Sequence, residues 1–319
     1  MKAPIRTALF ASLLAAACSP AADKPTAAAT APAAATPAPA PPAIAPIPAS
    51  ADVHPFTIGD FQAAALRDGG GTMPNDNKTL AINKTKKDVA DLLKANGLPT
   101  DAIDLSIQPL LVKTTDKVLL FDTGAAASMG PGAGKLPATL ATAGIDPASV
   151  TDIFISHGHS DHIGGLVNAQ GALYFPNATV HASANEWAAI KKDKQAAAIV
   201  TAVTPKVVEF QPDADIIPGV VKAVDIKGHT PGHSGYLITS GSQSLLYQGD
   251  VMHHYIISVQ QPDWTIAYDG DAKTAQATRK AMLEKWAASG QRIYAVHFPF
   301  PGLGKYEKKG DGFVWVAEK

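Results

Sequence analysis

Between an apolar run and a pair of glycines lies Ser156-His157-Gly158-His159-Ser160-Asp161-His162, and no other stretch narrows the possible folds so far. Thr151 to Ile155 reads as a short buried strand, and Gly164-Gly165 permits close packing where a helix begins. Three imidazoles and a carboxylate therefore project from one turn at the carboxyl end of a strand. Donors packed this closely suit a borderline divalent cation such as Zn²⁺, which takes His nitrogen and Asp oxygen. The plainer alternative is a polar loop that happens to hold histidines.

The chain of 319 residues is 46% hydrophobic and 17% charged, enough for one large domain with a substantial core. A formal net charge of −1 supplies no field for nucleic acid or an anionic membrane surface, so nucleic-acid partners are not expected. The single cysteine, Cys18, follows Lys2, Arg6 and the apolar run Ala8 to Ala17. Residues 1–18 read as an export signal, too short to span a membrane. Small residues before Cys18 look like a bacterial lipobox, with ordinary signal cleavage as the alternative. The expected location is the periplasm or the outer membrane, touched only through an N-terminal lipid anchor. After Cys18 no thiol remains, so the domain has neither a disulfide nor a Cys metal ligand. Residues 19–50, nearly all Ala, Pro and Thr, read as an extended spacer, and 51–319 as the folded domain.

Within that domain, strands are expected at Phe56–Phe61 and Ala63–Leu66, broken by the turn residues Asp68 to Gly71. Lys86–Asn96 has helical spacing, and Leu105–Val112 and Lys117–Phe121 read as paired strands. Short helices are expected at 136–143, 185–191 and 195–203. Strands are expected at 178–182, 207–210 and 220–226, with a hairpin through Gly241. Ala272–Ala288 is the longest helix and Ile293–Val296 the last buried strand, so the chain halves into two similar units. No short-period repeat suggests a solenoid.

Chemistry-bearing residues recur at other strand ends. Asp122-Thr123-Gly124 follows the Lys117–Phe121 strand, but an aspartic protease needs a second such element and none occurs. Lys227-Gly228-His229-Thr230-Pro231-Gly232-His233 follows another strand, Gly249-Asp250 a third, and Ala295-Val296-His297 ends the last. Asp250 stands where a carboxylate can bridge two cations. No Gly-x-Ser-x-Gly elbow offers a competing nucleophile.

The HxHxDH pattern resembles the signature of the metallo-β-lactamase superfamily, and Gly228 to His233 resembles its GHTxGH element. The resemblance implies an α/β fold, a four-layer αβ/βα sandwich. It implies that His157, His159 and His229 hold one metal and that Asp161, His162 and His297 hold the other, with Asp250 bridging. Two divalent transition-metal ions are implied, Zn first and Mn, Co or Fe as alternatives, holding a bridging hydroxide that attacks a carbonyl or phosphoryl centre. Asp122 and His233 then orient ligands from behind. Asp161 doubles as a proton acceptor, and His253 either donates to the developing oxyanion or is a solvent-exposed loop residue.

Asp250 stands where thiolate-bearing β-lactamases have Cys. Gly59-Asp60-Phe61, Asp122 to Ala126, Phe175 to Ala178, Gly228 to His233 and His297 to Gly302 look like the methyl parathion hydrolase and lactonase–arylesterase subgroup. The expected substrate is a small neutral lactone or aryl ester. Phosphotriester hydrolysis is a side activity or alternative, as are β-lactamase-like hydrolysis and metal binding without turnover. Met129, Trp187, His254, Phe298 and Phe300 are candidate pocket walls beside His253. Self-association into a homodimer stays open.

Overall fold

Alternating apolar residues set each strand between two layers. In Ala63-Ala64-Ala65-Leu66, for example, Ala63 and Ala65 pack between the sheets while Ala64 and Leu66 pack outward under helices. The computed structural model describes residues 44–319; the leader and most of the spacer lie outside the described residues. Ile47 is already buried, so packing begins upstream of the first strand.

The strands are β1 (Val53–Ile58), β2 (Phe61–Leu66), β3 (Gly69–Pro74), β4 (Ala102–Ile107), β5 (Leu110–Lys113), β6 (Val118–Phe121), β7 (Asp152–Phe154) and β8 (Thr179–Ser183). They continue as β9 (Val207–Phe210), β10 (Asp215–Ile217), β11 (Val221–Asp225), β12 (Ser234–Ser240), β13 (Gln243–Tyr247), β14 (Ile293–Tyr294), β15 (Leu303–Lys309) and β16 (Gly312–Ala317). The helices are α1 (Lys86–Ala95), α2 (Leu136–Thr142), α3 (Ser160–Ile163), α4 (Ala184–Ile190), α5 (Ala197–Val203), α6 (Ile257–Gln260) and α7 (Ala272–Ser289).

Two seven-stranded sheets result, ordered β1-β2-β5-β6-β7-β8-β9 and β10-β11-β12-β13-β14-β15-β16, with β3-β4 a separate ribbon. Between the sheets, Phe121, Phe154, Tyr236, Tyr247 and Tyr294 fill one core. Outside the first sheet, α2, α4 and α5 supply Leu140, Trp187, Ile190 and Val203. Outside the second, α7 supplies Leu283 and Trp286. This is the expected αβ/βα sandwich. Strands β6 to β9 run parallel, so each returns through a helical crossover and all end at the same edge.

Three expectations fail locally. Gly69–Gly71 is strand, not turn, because the ribbon passes so close to Gly132 and Ala133 that a side chain at Gly69 would collide. Leu105–Val112 is two strands, parted at Gln108-Pro109. The buried Gln108 amide leaves the ladder to donate to the Ala295 and Phe298 carbonyls at 2.9 and 3.1 Å. Ile293–Val296 is not last: the Lys-rich β15 and then β16 pair beyond it and close the second sheet. The ribbon, α1 and α6 share a core of their own, with Val89, Leu93, Ile103 and Ile257. Thr85 caps α1 in a reciprocal bond pair with Asp88.

Candidate metal centre

Strand ends deliver the donors. His157 and His159 follow β7, Asp161 and His162 sit in the first turn of α3, and His229, Asp250 and His297 follow β11, β13 and β14. His157 Nε2, His159 Nδ1 and His229 Nε2 lie 3.0 to 3.2 Å apart. Asp250 Oδ2 lies 3.5 Å from His229 Nε2 and 3.7 Å from His157 Nε2. A tetrahedron of ligands around Zn²⁺ at ordinary bond lengths has edges of about 3.3 Å, so these four atoms fit such a cation. A second group adjoins it. His162 Nε2 is 3.6 Å from Asp161 Oδ2 and 3.3 Å from Asp250 Oδ1, while His297 Nε2 is 3.6 Å from Asp161 Oδ2 and 3.1 Å from Asp250 Oδ2. His162 Nε2 and Asp250 Oδ1 are buried without a hydrogen-bond partner among the described residues. A cation between them satisfies both, and the donor chemistry fits Zn²⁺ or a neighbour of similar hardness.

Burial and charge divide the histidines. Burial holds His157 well below its ordinary value, lowers His159, and takes His229 down to about 4. Burial acts downward on His162 and His297 as well, but Asp250 and Asp161 outweigh it and raise both. Asp250 is held well below the carboxylate range: burial pushes upward, and His162, His297 and His157 outweigh it.

A second tier fixes the rings. Asp122 accepts from the Ser156 amide at 2.7 Å, Ser156 Oγ at 2.6 Å, Tyr247 OH at 2.7 Å and His162 Nδ1 at 2.6 Å. That last bond places the His162 proton on Nδ1 and aims Nε2 at the site. Asp122 sits at φ 57°, a left-handed conformation unusual for a side-chain-bearing residue, and its bonds hold it there. His297 Nδ1 donates to the Ser106 carbonyl at 2.7 Å. His233 Nε2 accepts the Asp250 amide at 2.9 Å and its Nδ1 donates to the Ile226 carbonyl, so it steers the backbone of Asp250. Only glycine suits position 249, where φ is +51° and a Cβ would strike His233 Nε2.

A model of the metallo-beta-lactamase superfamily matches residues 104–297, spanning every donor. The chain belongs to that superfamily. Its metallo-beta-lactamase fold is shared by solved hydrolases. AidC, a dizinc quorum-quenching lactonase in complex with a product, N-hexanoyl-L-homoserine, is 31% identical with a TM-score of 0.79; the match covers 84% of this chain and 97% of AidC. The hydrolase AbOPH of the beta-lactamase superfamily is 29% identical with a TM-score of 0.77, covering 85% of this chain and 99% of its own. A probable metal-dependent hydrolase from Staphylococcus aureus, 20% identical with a TM-score of 0.69, covers 83% and 99% and shares the fold. Among curated protein sequences none matches.

In this member of the metallo-beta-lactamase superfamily two buried groups escaped sequence reasoning. Asp269 accepts from His229 Nδ1 at 3.0 Å and pairs with Arg279 Nη2 at 2.9 Å. It lies in a loop without motif, and only the buried arginine of α7 signals it. Glu186, on α4, faces both ligand-bearing loops. Burial raises its carboxyl, against the pull of donors from Thr230, Gly158 and Gly232.

A cavity of about 490 Å³ opens over the donors. Met129 lines it, as expected, with Met73, Leu105, Ile107, Ile199 and Tyr268. His253 also lines it. It is buried rather than solvent-exposed, neither ring nitrogen has a hydrogen-bond partner among the described residues, and Nε2 lies 3.2 Å from Asp250 Oδ2. The other expected walls are elsewhere. Trp187 and Phe298 are 5% and 0% exposed inside the two outer cores, because each packs the outer face of a sheet. His254 turns away and accepts the Ile256 and Ile257 amides at the start of α6, and with Phe300 it lines a separate cavity of about 610 Å³. His181 is structural, bonded to Asp152 at 2.9 Å.

Proposed function

We propose that the chain is a dinuclear-metal hydrolase of neutral lactones or aryl esters. The observation that carries this is the cavity itself: four of the seven His and Asp donors, His159, Asp161, Asp250 and His297, lie at its floor, with largely apolar walls above. The AidC relative supports a lactone. When bound, two divalent cations supply an acidified water and draw charge from the oxygen of the electrophile. The chain does the rest. Met73, Leu105, Ile107 and Met129 exclude water and take the apolar part of the substrate. His253, without a hydrogen-bond partner among the described residues and facing the cavity, donates a hydrogen bond to the oxygen on which charge develops. Asp161 presents Oδ2 to His162 and His297, leaving its other oxygen to accept a proton. Export, read from the leader, belongs to the same proposal and brings such compounds to the site from outside the cell.

The test is a side-by-side panel of lactones, aryl esters, a phosphotriester and a cephalosporin with Zn²⁺, Mn²⁺ and Co²⁺. A lactone or aryl ester should have the highest kcat/KM. A phosphotriester or cephalosporin at the top overturns the substrate class and spares the metal chemistry. No turnover by protein holding both metals overturns the enzyme.

A further inference from the structure

Three imidazole nitrogens held 3.0 to 3.2 Å apart repel one another through their lone pairs unless a cation or proton lies between them. They come from two loops far apart in sequence, one after β7 and one after β11, and something besides the metal must keep the loops in register. Glu186 touches both. Its Oε1 accepts the amide of Gly158, the residue between His157 and His159, at 2.8 Å. Its Oε2 accepts Thr230 Oγ1 at 2.6 Å and the Gly232 amide at 2.9 Å, on either side of Pro231 just beyond His229. Ser183, the cap of α4, adds a bond from its hydroxyl to the Gly232 carbonyl at 2.6 Å.

We infer that Glu186 is a positioning residue, a carboxylate bridge that presets the His157, His159 and His229 nitrogens at metal-binding separation. The inference rests on the two-metal reading above. Three features set this bridge apart from ordinary packing. Glu186 is 1% exposed and pairs with no cation among the described residues, so its charge is tolerated only through the donors that converge on it. All three of those donors belong to the ligand-bearing loops and none to the apolar core. Gly158 and Gly232 lack side chains where α4 presses in: a Cβ at 232 would overlap the Glu186 amide in its first turn, and one at 158 the Ile190 side chain at its end. The threonine and second glycine of the Gly228 to His233 turn therefore serve Glu186 rather than the metal. None of these bonds reaches Asp161, His162 or His297, so the bridge acts on one group only.

Glu186→Gln keeps the shape and removes the symmetry of the acceptors. Whichever way the amide turns, its NH₂ confronts the N–H of Gly158 or that of Gly232, donor to donor. The experiment is chelator competition on the metal-loaded protein, with Co²⁺ absorption and metal analysis reporting each site. Glu186→Gln should weaken metal binding about ten- to a hundred-fold at the His157, His159 and His229 group, as loss of an outer-shell partner does. The Asp161, His162 and His297 group should hold its ion as the wild type does. Thr230→Val, which removes one bond and keeps the carboxylate, should shift the same group less and in the same direction, and it decides the matter if Glu186→Gln does not fold. Wild-type retention at both sites, or equal weakening at both, overturns the inference. A wild type taking up one equivalent sinks the two-metal reading, and the bridge is then judged by whether Glu186→Gln loosens that ion.

Discussion

Replacing Asp122 with asparagine separates the second tier from the ligands, because Asn fits the same volume and tolerates the left-handed backbone at φ 57°. Three donors, Ser156 Oγ, Tyr247 OH and His162 Nδ1, converge on Oδ2, and the Ser156 amide alone meets Oδ1. The introduced amide would therefore turn its oxygen to the threefold side and its NH₂ toward the Ser156 amide. One buried donor pair is left facing each other, at about 1–3 kcal/mol. The three remaining bonds fall from charge-assisted to neutral, each losing roughly half its strength, or about 0.5–1 kcal/mol apiece. The sum is about 2.5–6 kcal/mol, a large fraction of the roughly 5–15 kcal/mol that holds a typical domain together. Guanidinium unfolding of metal-free Asp122→Asn against metal-free wild type measures it directly. Metal affinity at the His162 group should fall about ten- to a hundred-fold in the same variant. A stability loss under about 1 kcal/mol, with the metals held normally, would refute the assignment of Asp122 as the anchor of His162 and Ser156.

Asp250→Ala should lose at least one metal equivalent, since its carboxylate reaches both donor groups, Oδ1 facing His162 and Oδ2 facing His297 and His229; a variant that keeps both contradicts bridging. His253→Ala should keep its metals and lose about two to three powers of ten in turnover, as other oxyanion donors do; unchanged kcat rules the role out. Asp152 yields a pH signature away from the site. Burial pushes its carboxyl up, but bonds from His181, Lys117 and Thr151 outweigh it and hold the carboxyl below its usual value. A folded-state value below the unfolded one adds stability above the ordinary carboxylate range and loses it as pH falls through the depressed value. Asp152→Asn should thus unfold more easily than wild type at pH 7 and converge with it in strong acid; a gap independent of pH refutes the ion pair.

Legibility in the sequence followed the reach of each interaction. Strands such as β6 and β13 and the helix α7 announce themselves through local period and punctuation, and the ligands stand in short motifs at strand ends. The ribbon hid behind Gly69–Gly71, where a run of glycines that normally signals a turn instead permits close approach to another backbone. Trp187 and Phe298 misled because an aromatic near a motif is as often core as wall, and only the sheet faces decide. Asp269 and Glu186 were invisible for a different reason. They act across gaps of dozens of residues, on His229 and on Gly158, and carry no neighbouring pattern of their own.

The ribbon of β3 and β4 roofs the cavity while keeping a hydrophobic core separate from the three that build the sandwich. Its ties to the donor cluster run through the Ser106 backbone, whose carbonyl accepts from His297 Nδ1 and whose amide donates to the His297 carbonyl. Backbone groups are present whatever the side chain, so those ties place almost no demand on sequence. Met73 and Leu105 can therefore drift in size and polarity without loosening an ion or opening the core between the sheets. New substrate preferences are most accessible to such a chain here, through a patch of a dozen residues whose errors the catalytic floor does not feel.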